Sequence, residues 1–249
     1  MRSQKRRQVR PVLLPKIIYQ DPFLLAVDKP SGWITNSSQT TANFTTLQDW
    51  LKEHFNYPLA PSVEYRSGIV HRLDKDTSGI LLVAKHPETF TALQQQFKRR
   101  QIQKQYLALI HGKIEPNTGN ISLPMGRLPW NRKRFGVLPS GRESTTLYTR
   151  RNIYLKDNEF FSLVLLRPKT GRTHQLRVHM KYLSHPIVSD PLYAGRKTSR
   201  HDSLWCPRLF LHASGIIFTH PEDSRTIAIN SPLPVDLSRT LASLDKVEP

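Results

Sequence analysis

The chain has 249 residues, with 37 Lys and Arg against 19 Asp and Glu, a formal net charge of +18 and a pI near 10.3. A chain of this size hides roughly 70–75% of its unfolded surface, and so strong a positive charge calls for a polyanionic partner, nucleic acid ahead of an anionic membrane. No apolar run approaches the ~20 residues that span a bilayer, and the lone Cys206 excludes an internal disulfide and Cys-rich zinc sites.

The first ten residues carry Arg2, Lys5, Arg6, Arg7 and Arg10, and no apolar stretch follows as a secretory signal would require. Residues 1–16 are therefore expected to be a disordered basic arm that can add phosphate contacts without sequence specificity. After it, short apolar runs flank a turn at Gln20-Asp21-Pro22. Leu24–Val27 predicts a buried strand, closed by Lys29-Pro30-Ser31-Gly32. Residues 36–45, rich in Ser, Thr and Asn, predict a mobile loop. Thr45 or Thr46 then caps a helix with Leu47, Trp50, Leu51 and Phe55 at helical spacing, and Trp50 reads as core rather than as a base-stacking platform.

A polar turn over 71–79 feeds an apolar strand, Ile80–Ala84. Pro87 suits the first turn of a helix carrying Phe90, Leu93 and Phe97 on one face. That helix ends in Lys98-Arg99-Arg100, with Lys104 beyond it. Cations there suit a helix C-terminus and equally a phosphate-binding stripe. Gln105–His111 alternates as a strand. Residues 116–142 contain no acid but hold Arg127, Arg132, Lys133, Arg134 and Arg142, with Trp130 and Phe135 among them. An RNA-contacting loop and a solvated hairpin with buried aromatics fit this segment equally well.

Thr145–Tyr154 and Phe160–Leu166 predict paired strands around a turn at Lys156-Asp157-Asn158. Thr173 is expected to cap a helix whose apolar stripe is Leu176, Met180 and Leu183, and no acid occurs from Phe160 to Ser189. A further strand at Leu209–Phe218 is interrupted at Ser214-Gly215. No repeat is present, and no linker divides the chain. Strands outnumber helices without strict alternation, which predicts an α+β fold in one domain over residues 17–249.

Several chemistries fail on their own requirements. Asp74-x-Asp76-x-Ser78-Gly79 imitates the start of an EF-hand loop, but the twelfth position is Lys85 where a bidentate Glu is needed. Ser78 lies in no Gly-x-Ser-x-Gly elbow. Neither a Walker loop nor a His-Glu-x-x-His pair occurs. What remains is a carboxylate beside Arg72 in a basic protein. Asp74 and Asp76 both qualify, Asp74 by a small margin, because Asp76 can simply brace the turn through backbone amides.

His71-Arg72-Leu73-Asp74-Lys75-Asp76-Thr77-Ser78-Gly79 resembles the central motif of the RluA-type RNA pseudouridine synthases. Val27-Asp28-Lys29-Pro30-Ser31-Gly32 is similar to the family's early Lys-Pro-x-Gly turn, and Lys104–Leu109 to its Lys-x-Tyr strand. Thr170–His179 matches the late motif, and Asp190-Pro191-Leu192-Tyr193 and Leu211-His212-Ala213 fit as well. The resemblance runs from about residue 17 to 236, in family order. It departs at Asn36-Ser37-Ser38, where many relatives have His-Pro, and in having no room for the separate small N-terminal RNA-binding domain that many relatives carry.

The resemblance implies a mixed, mostly antiparallel central sheet flanked by helices and loops, with the catalytic cleft across it. It implies that Asp74 is the catalytic aspartate, that Tyr106 stacks on the target base and assists proton transfer, and that Arg177 ion-pairs with Asp74. Arg72 would help fill the gap left by an extruded nucleotide. Substrate contacts are further expected from His71, Thr77, Lys104, Arg172 and His174, and from Arg132 and Arg134 of the basic loop. The implied reaction detaches uracil at N1 and rejoins it through C5, with no redox change, so neither cofactor nor metal is expected. The expected partner is structured ribosomal or transfer RNA, bound by a cytoplasmic monomer without a membrane or obligatory protein partner. The competing expectation is a non-catalytic RNA-binding or RNA-folding protein on the same fold.

Overall fold

The computed structural model describes residues 13–38 and 44–247. Most of the expected basic arm and the centre of the 36–45 loop thus lie outside the described residues. Strands β1 (Lys16–Gln20), β2 (Leu24–Lys29) and β3 (Ser78–Ala84) form one side of an eleven-stranded sheet. The other side comprises β4 (Gln103–His111), β5 (Thr118–Arg127), β6 (Phe135–Val137), β7 (Arg142–Lys156) and β8 (Glu159–Pro168). Between them runs β9 (Leu211–Thr219), giving the order β1-β2-β3-β9-β4-β8-β7-β5-β6. The short strands β10 (Thr226–Asn230) and β11 (Asp245–Val247) pair with β9 and β7. Ladders between these strands are antiparallel except at the seam, where β3 and β9 run parallel for Ser78↔His212 and Gly79↔Ala213. The fold is α+β, as its strand-rich pattern predicted.

Five helices pack around the sheet: α1 (Leu47–His54), α2 (Pro87–Lys98), α3 (Gln175–Tyr182), α4 (Arg196–Asp202) and α5 (Val235–Ala242). Thr46 starts α1 through a reciprocal capping box, accepting from Asp49 N while Asp49 Oδ2 accepts from Thr46 N. Pro87 occupies the first turn of α2, where its missing N–H costs nothing. Asp157 and Asn158, both at positive φ, make the two-residue turn that joins β7 to β8. Trp50 is core, only 8% exposed.

The core comes in two parts. One gathers Leu25, Leu82, Trp50, Leu51 and Leu93 on the β1–β3 side. The other gathers Leu109, Val164, Leu176, Phe210 and Leu237 on the β4–β8 side. Tyr106 packs against both, so it stands at the seam. The seam also needs Gly79. Its φ is +114°, and a Cβ there would meet Ala213 O at 2.3 Å, a distance no side chain tolerates.

Two expectations change. Thr173 does not cap α3: His174 does, with φ +57° and no side-chain cap bond, because its ring is drawn to a tyrosine across the site. The break expected at Ser214-Gly215 is a bulge inside a continuous β9. Gln105 pairs with Gly215 and Leu107 with His212, leaving Ala213 and Ser214 both opposite Tyr106. A bulge bends the strand that carries it, here β9.

Candidate active site

The turn bearing Asp74 is gripped from below by the Lys-Pro-x-Gly turn. Lys29 is fully buried, and its Nζ donates to the carbonyls of Pro30 (3.0 Å), Trp33 (3.0 Å) and Lys75 (3.2 Å). Gly32 N also donates to Lys75 O (2.8 Å), Ser31 Oγ to Asp76 O (2.9 Å) and Thr35 Oγ1 to Leu73 O (2.9 Å). Thr77 N closes the turn on Asp74 O (3.1 Å), and the Thr77 side chain is buried. Burial pushes the Lys29 amine down to about 7, and the nearby Asp76 and Asp74 charges pull it the other way. On the far side, Ser78 Oγ and His212 Nδ1 are 3.0 Å apart, and His212 Nε2 lies 3.2 Å from Ser231 O. This chain of contacts fixes the turn to the seam.

Above the turn, Arg177 leaves α3 and is buried, 3% exposed. Its Nε and Nη2 donate to the two oxygens of the fully buried Asp190, both at 2.7 Å. That bidentate pair leaves Nη1 to reach Asp74 Oδ2 at 3.3 Å. Asp190 Oδ1 also accepts from Leu192 N and Tyr193 N, so its lone pairs are well used. Burial opposes the guanidinium charge. The Asp190 hydrogen bonds, followed by the charges of Asp190 and Asp74, more than offset it and raise its pKa. The Tyr193 ring lies 5.1 Å from the guanidinium carbon.

His174 Nε2 lies 3.9 Å from Asp74 Oδ2, and its Nδ1 is 2.9 Å from Tyr193 Oη. Burial lowers its pKa and favours a neutral ring, against the Asp74 charge, which pulls the other way. Tyr193 Oη already accepts from Phe135 N at 2.9 Å, so the phenol proton is free to go to Nδ1. With Nδ1 accepting that proton, the neutral ring carries its own on Nε2, facing Asp74. Asp74 itself keeps 21% of its side chain exposed, unlike the residues that hold it. Burial, reinforced by the Asp74 charge, raises the half-buried Tyr106 phenol. The site is thus one partly open carboxylate set between a buried cation and an aromatic face that keeps its proton.

The family model described as RNA pseudouridylate synthase matches residues 24–182. A relative from Chloroflexus aurantiacus, named an uncharacterized RNA pseudouridine synthase, is 39% identical over 87% of this chain and 65% of its own. A ribosomal large subunit pseudouridine synthase D of Xanthomonas campestris pv. campestris is 35% identical over 92% of this chain and 69% of its own. This chain therefore spans about two thirds of the length of these relatives. Human RNA Pseudouridylate Synthase Domain Containing 1 superposes with a TM-score of 0.74 at 29% identity, covering 99% of this chain and 92% of that one. The chain belongs to the RluA-type RNA pseudouridylate synthases.

The members are isomerases acting on RNA, and the synthase fold gathers most of the residues singled out in the sequence. Asp74, Arg177 and His174 meet directly. Arg72 is exposed, and its charge acts on His174. Lys104 donates to Thr170 O at 3.1 Å, and burial pushes its amine down to about 8. Arg172 Nε donates to Glu143 O at 3.4 Å. His71 is committed elsewhere: Nε2 accepts from Leu82 N at 2.9 Å and the ring packs 4.8 Å from Phe97. Arg132 and Arg134 lie on the β5–β6 hairpin, with no hydrogen bond or ion pair to Asp74 among the described residues. That hairpin is hooked to the site at its base through Phe135 and Tyr193, while Trp130 at its tip is 76% exposed.

Asp190, Tyr193 and Lys29 escaped residue-level reasoning as site groups. A signal for Asp190 was present: it is the first acid after the acid-free stretch from Phe160 to Ser189. Among the described residues no group of three or more His, Cys, Asp or Glu side chains could hold a metal ion, and no helix is long and apolar enough to cross a membrane.

The chain holds neutral histidines in its interior, which fixes its response to acid. Burial pushes His71 down to about 3 and His179 to about 4; in the unfolded chain both would titrate near 6.5. Between those limits the unfolded state binds more protons, so stability is complete above pH 6.5 and is lost as pH falls toward 4. Unfolding at pH 5 should therefore take up about two protons through this pair. His179→Asn should remove about one of them, read from the slope of stability against pH in denaturant titrations. An unchanged slope would mean that His179 is not held neutral.

Proposed function

We propose that this chain isomerises specific uridines to pseudouridine in ribosomal or transfer RNA, with Asp74 as the catalytic carboxylate. The observation that carries the reading is the partly exposed Asp74 carboxylate, paired with the buried Arg177 and near enough to Tyr106 for its charge to act on the phenol. The name of the Xanthomonas relative favours ribosomal RNA over transfer RNA. In this reading the target uridine leaves its stack, at a cost of a few kcal/mol that stacking on Tyr106 partly offsets. Arg72 fills the vacated space, and Lys104, Arg172 and His174 hold the extruded nucleotide. Arg132 and Arg134 hold the surrounding RNA, and His71 and Thr77 act by shaping the turn.

The chemistry breaks the bond from C1′ to N1, turns the uracil and forms a bond from C1′ to C5. N1 gains a proton and C5 loses one. The Asp74 anion can serve either as the nucleophile or as the base at C2′ in the first step. Tyr106 is a poor base because burial and the Asp74 charge favour its phenol form. It therefore supplies a stacking face and a hydrogen-bond donor, and the C5 proton falls to Asp74. Residues 17–249 act as one catalytic domain, as a monomer and in the cytoplasm.

The test is direct. Purified protein is incubated with unmodified ribosomal and transfer RNA transcripts, and pseudouridine is mapped by chemical labelling and primer extension. Stops at one or a few uridines are expected. Tight RNA binding without any stop would favour the non-catalytic alternative.

A further inference from the structure

The cations at the end of α2 do not stand alone. They face the loop between β8 and α3 across an open groove of about 780 Å³. Lys98 and Arg100 line one wall, and Lys169 and Arg172 the other. Lys104 lies in the groove, which the half-buried rings of Tyr65, Phe90 and Phe97 also line. No carboxylate is among the lining residues. Five like charges around one groove repel each other unless an anion lies between them. Aromatic surface beneath a cationic rim is how single-stranded nucleic acid is commonly held.

The groove lies beside the active site, since its wall from Lys169 to Arg172 runs on to His174, whose Nε2 is 3.9 Å from Asp74 Oδ2. Lys104 and Tyr106 are two residues apart on β4, so they share a face and sit about 7 Å apart along the strand. A closed pocket would suit a free mononucleotide better than this open trough. We propose that the groove holds the RNA strand immediately flanking the target uridine, its phosphates on the five cations and one base against Phe97 and Tyr65. The inference rests on the reading of the chain as an RNA-modifying enzyme and adds a subsite to it.

A Lys98→Glu, Arg100→Glu, Lys169→Glu triple variant tests it on a transcript that the wild type modifies. All three side chains are exposed. KM should rise at least about tenfold with a smaller change in kcat, and the salt slope of RNA binding should flatten by about 2 to 3. The pair Arg239→Glu and Lys246→Glu, exposed on α5 and β11, should leave both unchanged. If the triple variant melts early, Lys169→Glu alone serves, with a slope change of about 1. Independently, 4-thiouridine placed next to the target should crosslink to Phe97 or Tyr65 in the wild type. A triple variant that behaves like the control pair, or crosslinks that map outside the groove, would overturn the proposal. Absence of pseudouridine from wild-type reactions would sink the parent reading instead. The salt slope needs no turnover and still decides the groove.

Discussion

Asp74→Asn should abolish pseudouridine formation, with a rate loss of about 10⁴-fold or more, and leave RNA affinity within about twofold. The substitution keeps the size of the side chain and an oxygen that can accept from Arg177 Nη1, 3.3 Å away in the wild type. The turn should hold, because its bonds to Lys29, Gly32, Ser31 and Thr35 run through the carbonyls of Leu73, Lys75 and Asp76 and not through the Asp74 side chain. What disappears is the negative charge needed to act as nucleophile or base. Affinity is held by phosphate-facing cations such as those of the groove between α2 and the β8–α3 loop, so one lost anion changes it little. Product formation by purified Asp74→Asn at a rate near wild type would remove Asp74 from its assigned role.

Asp190→Asn should damage folding and chemistry together. Arg177 is 3% exposed and Asp190 is fully buried, so the amide takes from a buried guanidinium its bidentate counter-charge and leaves only the longer contact to Asp74. Removing one partner of such a pair costs about 3–5 kcal/mol, which for a domain of this size lowers Tm by about 10 °C. The surviving protein should also turn over slowly. Arg177, no longer held by two 2.7 Å bonds, is drawn toward Asp74 and closes a bidentate pair that ties up the carboxylate. Thermal melting and kcat at a temperature well below the new midpoint separate the two effects. A variant that melts like the wild type would show that Asp190 is not the main holder of Arg177.

Where the fold was legible, the signal was local. Thr46 with Asp49, Pro87, and the Asp157-Asn158 turn each state their conformation through their own chemistry. Where it was not, tertiary contacts decided. His174 starts α3 in a left-handed conformation while its ring meets Tyr193, nineteen residues away, and nothing near Thr173 announces that. Helix α4, Arg-Lys-Thr-Ser-Arg-His-Asp, has no apolar period to read.

The site divides the same way. Asp74, Tyr106 and Arg177 were reached through motifs in order along the chain. Residue chemistry alone left Asp74 and Asp76 nearly level, and the structure separates their carboxylates: that of Asp74 faces Arg177, while the Asp76 charge acts on the buried Lys29. Asp190 stayed hidden because a buried carboxylate looks like any other acid in a sequence. The basic hairpin, equally open to two readings, is a hairpin with its one tryptophan outside the core.

The grip on the Asp74 turn falls on carbonyl oxygens, which every residue type possesses. Lys75 can therefore be exchanged for another side chain while the peptide path that aims the carboxylate stays as it is. Placement and recognition are thereby uncoupled within four consecutive residues. A change of an exposed side chain on this turn is therefore expected to leave the Asp74 carboxylate where it is.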